Sequence, residues 1–146
     1  MKRFTELLRP RGAPSTDVGG RLDTAFRELT MFADAALMGV EVDTLKAVRA
    51  REGAQWFLVG AAEHLSERRG LDGDGFRAVA AELVLRLGIS RKQAQADLLG
   101  YEGPTGDPIH DTALEEGAQT MAVWLEGKDN NAPLRLNQLL AVWRRD

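Results

Sequence analysis

Residues Gln55–Leu65 read Q-W-F-L-V-G-A-A-E-H-L. Trp56, Phe57, Leu58 and Val59 stand in a row, and Gly60, Ala61 and Ala62 follow them. A helix over this stretch is apolar on every side, and such a helix belongs inside a protein with other helices around it. That requirement predicts an all-α chain: a single-domain, irregular or orthogonal bundle of about six helices around a central apolar helix. No segment has the two-residue alternation of a half-buried strand, so no strand is predicted.

The remaining helices follow from apolar spacing and from their start and stop residues. Leu22, Phe26, Leu29, Ala33 and Ala36 recur at intervals of four and three, which predicts a first helix over 20–38. Thr16 or Asp17 would cap it, and Gly39 suits the left-handed residue after it. The second helix is predicted from Asp43 or Thr44 to Arg69 and contains the apolar stretch. Gly53 and Gly60 lie seven apart on it. Each costs about 1 kcal/mol of helix stability relative to Ala, so a neighbouring helix is expected to cross very close there. The third helix, over 75–87, turns Phe76, Val79, Ala80, Leu83 and Leu87 inward. Val84 and Leu85 fall off that stripe and read as an exposed apolar patch, a possible dimer face.

The fourth helix is predicted over 90–99. Ser90 and Gln93 form a capping box, with Ile89 and Ala94 as a staple around it. Three glycines and two prolines make 100–110 the longest loop. A second capping box, Thr112 with Glu115, opens the fifth helix, in which Leu114, Ala118, Met121 and Leu125 form the stripe. Pro133 suits the first position of a last helix to about Arg144, with Leu136, Leu139, Leu140 and Trp143 facing inward. Residues 1–19 read as a peripheral arm in which Phe4, Leu7 and Leu8 form one amphipathic turn. Residues 20–146 form the domain. Of Trp56, Trp124 and Trp143, at least two are expected in the core.

The bulk chemistry narrows the function classes. A net charge of −3 gives no general attraction to nucleic acid or anionic lipid. There is no cysteine, which excludes disulfides, thiolate metal sites and a cysteine nucleophile and fits a reducing cytoplasm. The opening lacks the apolar region of a signal peptide, and no run is long enough to span a membrane. Basic residues are mostly Arg, a compositional hint of a GC-rich bacterial genome.

Catalytic and metal motifs are sparse. His64 follows Glu63 and lies one turn from Glu67 and Arg68, so it could be a base tuned by a carboxylate, though a satisfied, partly buried histidine reads more simply. His110 precedes Asp111 in the glycine-rich loop. The chain contains neither H-E-x-x-H nor the Glu-x-x-His pairs of di-iron bundles, and it has no nucleophile elbow and no phosphate loop. Asp72-Gly-Asp-Gly fails as a calcium loop: with Gly75 as the loop's glycine, Gly70 and Ala81 fall at its first and last ligand positions. Gly73, Gly75 and Ala78 match a relaxed dinucleotide fingerprint, but no strand precedes them. No catalytic residue, cofactor or metal site is therefore expected.

The most specific local signal is A-A-E-L-V-L-R-L-G-I-S-R-K-Q-A-Q-A-D-L-L, residues 80–99. The run Leu87-Gly-Ile-Ser-Arg resembles the turn of bacterial helix-turn-helix regulators, in which a glycine ends one helix and a serine caps the next. That resemblance implies that Ser90, Arg91, Lys92 and Gln95 contact DNA from the start of the second helix. Residues 76–99 carry Arg77, Arg86, Arg91 and Lys92 against Glu82 and Asp97, a thin supply of positive charge for phosphate. In outline, Asp72-Gly73 and Leu87–Ser90 also resemble the tellurite-resistance type of helical domain. Val79 stands where that family has an acidic residue.

Two functions are therefore expected in order. The first is a small bacterial cytoplasmic protein-interaction or adaptor module without catalysis, with a protein partner or self-association. The alternative is a DNA-binding transcriptional regulator using Ser90, Arg91, Lys92 and Gln95. Membrane is not an expected partner.

Overall fold

The central stretch is enclosed. In the computed structural model, which describes residues 15–145, ten consecutive residues from Gly53 to Ala62 are buried. They belong to α2 (Val48–Arg69), and the other helices are α1 (Ser15–Leu37), α3 (Gly73–Val84), α4 (Arg91–Leu99), α5 (Pro108–Leu125) and α6 (Arg135–Trp143). The described residues contain no strand, as the sequence predicts. α2 packs on α1, α3, α5 and α6, so it is the hub of the bundle. Most residues of the expected inner stripes are in the core, from Leu22, Leu29 and Phe32 to Leu136, Leu140 and Trp143, while Phe26 and Leu125 are half-buried against it and Ala118 is half-buried. Phe32 stacks on Phe57 at 6.1 Å and meets Trp124 edge-on at 5.5 Å.

α2 and α5 run parallel. Arg49 meets Asp107 near their starts, and Gly60 meets Leu114 further along. Gly117 in turn lies against Phe57. A Cβ on Gly60 would collide with the Leu114 carbonyl, and one on Gly117 with the Phe57 carbonyl. Each glycine therefore faces the partner's backbone, and neither collision can be relieved by turning a side chain. The close crossing inferred from Gly60 is present, while Gly53 faces another helix: a Cβ there would strike the Trp143 ring.

Several boundaries differ from expectation, each for a local reason. α1 includes Ser15, Thr16 and Asp17, so the helix extends before the expected start at residue 20. The amphipathic turn expected at Phe4, Leu7 and Leu8 lies outside the described residues. α2 does not begin at Asp43 or Thr44. Val42–Lys46 is a 3-10 turn and Ala47 is extended (φ −70°, ψ 125°), a bend that lets Leu45 pack against the core. α3 starts at Gly73 because the Asp72 carboxylate accepts the Gly75 N–H at 2.7 Å. It passes through a 3-10 turn, Leu85–Leu87, to Gly88 at φ 83°.

α5 begins four residues before the Thr112 box. Asp107 accepts the N–H groups of Ile109 and His110 at 2.9 and 3.2 Å, and Pro108 fills the first position, where its missing N–H costs nothing. At α4 only half of the expected box forms. Ser90 accepts the Gln93 N–H at 3.1 Å, but the Gln93 amide bonds Asp97 and does not return to Ser90. The last helix is preceded by a 3-10 turn, Ala132–Leu134, that contains Pro133.

Candidate functional site

Two regions carry side chains not explained by core packing alone. The first is a polar network where α2 and α5 start. Arg49 donates to Glu52 and to Asp107, both at 2.8 Å. This pairing holds the Asp107 carboxyl well below the usual carboxylate range and raises Arg49 further above its own, the side-chain bond between them being the main cause of each shift. His110 Nε2 lies 3.5 Å from Glu52, and the His110 ring packs on Trp56 at 5.5 Å. Trp56 in turn packs on Tyr101, whose hydroxyl donates to Glu63 at 2.8 Å. Burial first, then that hydrogen bond, pushes the Tyr101 phenol up.

The network ties down the loop between α4 and α5. Tyr101 anchors one end and Asp107 the other, while Asp111 accepts the N–H groups of Thr105 and Gly106 at 2.6 and 3.0 Å. Every charged group in it is matched within the protein. The two histidines are not brought to a shared carboxylate: His110 faces Glu52 at 3.5 Å, whereas His64 sits about three turns further along α2, and the buried Nε2 of each is without a hydrogen-bond partner. Among the described residues no group of three His, Cys, Asp or Glu is placed to hold a metal ion. Nor is any helix long and apolar enough to cross a membrane.

The second region is the edge formed by α3 and α4. Ser90, Arg91, Lys92 and Gln95 are all exposed there. Arg91, however, is paired with Glu82. The other arginines of the unit are matched too: Arg86 lies 3.1 Å from Asp34, and Arg77 lies 4.0 Å from Asp74. Lys92 has no carboxylate partner among the described residues. Arg77 also donates to the Leu98 carbonyl at 3.3 Å, satisfying a backbone acceptor near the end of α4.

α4 is fastened to the hub from below. Asp97 accepts from the buried Gln55 amide at 2.7 Å and from Gln93 at 2.7 Å. Ala94 and Leu98 are buried, while Leu99 is 75% exposed. Between α3 and α4 lies a small, mainly apolar cavity of ≈ 210 Å³ floored by Ala78, Ala81, Leu98 and Leu99. Arg77, Glu82 and Gln95 rim it.

The dimer face expected at Val84 and Leu85 is not there. Val84 is fully buried, because it lies one α-helical turn after the buried Ala80 on the same face, and Leu85 is half-buried against the core where the 3-10 turn begins. Trp56 and Trp143 are buried and Trp124 is half-buried, so none stands out as an exposed anchor. Sequence reasoning missed Arg49, Glu52, Tyr101 and Asp107. Asp107 alone carried a local signal, an Asp-Pro pair at a helix start. No family model, curated protein or solved structure matches this chain.

Proposed function

We propose that this chain is a protein-interaction or adaptor module of the bacterial cytoplasm, acting by binding and not by catalysis, through the edge between α3 and α4. One observation carries this reading. That edge holds an apolar cavity, an exposed Leu99 and a rim of charges already balanced within the protein. Apolar surface flanked by polar residues is what protein partners cover. The polar network at the start of α5 supports the reading from the other side: its charges are spent on fixing a loop. The test is quantitative co-purification of partners with wild type and with Leu99→Asp. Loss of a defined partner is expected, and an unchanged set removes the reading.

The second reading, a DNA-binding regulator, draws on the common exposure of Ser90, Arg91, Lys92 and Gln95 at the start of α4. Phosphate would have to compete with Glu82 for Arg91. A gel shift on duplex DNA at low salt decides it: retention that weakens with salt and with Lys92→Ala supports it, and no retention removes it.

A further inference from the structure

The cavity at the α3–α4 edge has a neighbour. On the other flank of α3, against α1, lies a second depression of ≈ 310 Å³ floored by Leu22, Phe26, Ala78 and Val79. Ala78 and Glu82, one turn apart on the outer ridge of α3, line both. The two sockets therefore sit side by side across one helix, a span of about 10 Å. Seven residues of α-helix rise about 10.5 Å. A helix laid across α3 thus places side chains seven residues apart into both sockets, and the small Ala78 lets it come close.

The charges add a constraint. Glu82 on the ridge is shared with Arg91, and Arg77 lies near Asp74. Asp23, at the α1 lip, has no cation within ion-pair distance among the described residues. Among the residues lining the two sockets, the charge left unpaired is therefore negative and lies beside the α1 socket. A second copy of the chain fits poorly. The face is concave at both sockets, and of the residues lining them only Leu99 is strongly exposed and apolar. A two-fold contact would offer Leu99 as the one exposed apolar knob among these lining residues for two hollows on each copy.

We infer that this face takes an amphipathic helix of a partner protein. Its two aliphatic side chains, seven residues apart, fill the sockets, and a Lys or Arg lies within a turn of the one seated near Asp23. This helix-in-groove mode rests on the interaction-module reading and specifies the partner.

The probe is a synthetic helical peptide with two leucines at that spacing and a flanking lysine, titrated by fluorescence anisotropy against the full chain. Saturable binding is expected. Asp23→Lys should weaken it about tenfold, an effect worth about 1.4 kcal/mol, and should reverse the preference when the peptide's lysine is replaced by glutamate. Ala78→Arg should abolish binding. Equal binding of a peptide with its leucines four apart overturns the inference, as does indifference to Asp23→Lys. Two other outcomes name another occupant and also overturn it. One is concentration-dependent self-association that Ala78→Arg removes. The other is peptide binding about tenfold tighter after serine replaces Phe4, Leu7 and Leu8, which makes this chain's own arm the occupant. Either would leave the face an interaction surface. If Leu99→Asp leaves the co-purified partners unchanged, the broader reading falls as well.

Discussion

The α2–α5 seam and the α3–α4 edge are built from similar residues and behave in opposite ways. Both use small side chains facing a neighbouring helix: Gly60 and Gly117 at the seam, Ala78 and Ala81 at the edge. At the seam the two backbones touch and nothing is left to fill. At the edge α4 has nine residues and is pinned at its inner side by Ala94, Leu98 and the Asp97–Gln55 bond. Its outer side leaves a hollow. Small residues close an interface when both helices are long and parallel; opposite the short α4 they leave a socket.

The largest expected effect comes from breaking the closed region. Gly117→Leu puts a side chain into the Phe57 carbonyl, and overpacking of this kind costs about 3 kcal/mol or more. Helix propensity alone would favour the change by about 1 kcal/mol. Chemical denaturation should therefore show a clear loss, and a gain would mean that the helices can separate cheaply. The same holds for Gly60→Leu, whose midpoint should also fall.

Next is Tyr101→Phe, which removes the hydroxyl that ties the loop to Glu63 and should cost about 1–2 kcal/mol. The folded protein keeps this phenol protonated to higher pH than the unfolded chain does. Its contribution is thus whole below the ordinary tyrosine range and is lost as pH rises through and beyond it. Tyr101 is the chain's one tyrosine, so phenolate absorbance should appear above that range and together with unfolding.

A smaller effect is expected for Arg49→Met, whose partners are about one-third exposed. The folded state lowers the Asp107 pKa, so this pairing stabilises fully above the ordinary carboxylate range and less as pH falls through it. The gap between variant and wild type should narrow on acidification. A constant gap would mean that the loss is one of packing.

Smallest is Leu99→Ser, which should change stability by no more than about 0.5 kcal/mol because the side chain is mostly in water. A large loss would show that the open edge contributes to the core after all.

What the sequence revealed and what it concealed divide along physical lines. The apolar run at Trp56–Val59 demands enclosure wherever it lies, and a glycine inside a helix signals a near neighbour whatever that neighbour is. Both depend only on local residues. The identity of the neighbour does not: Gly117, Leu114 and Asp107 meet α2 from across more than fifty positions of chain. Gln55 read only as the polar start of the central stretch, because its partner Asp97 lies 42 residues away. Val84 lies four residues after Ala80 and so belongs to the inner face at ordinary helical pitch, whereas Leu85 is misplaced because a stripe extrapolated at that pitch fails where the helix tightens to 3-10 after Val84. At the edge, spacing identified the exposed residues of α4 but could not show that Glu82 reaches Arg91.

Because α2 and α5 point the same way, the chain must travel back through α3 and α4 before the two can meet, and Arg49 waits 58 residues for Asp107. During synthesis, Trp56 and its neighbours leave the ribosome long before their permanent cover does. A nascent chain of this design is sticky for most of its growth, and its folding should run slower than that of helical proteins whose neighbouring helices meet in order.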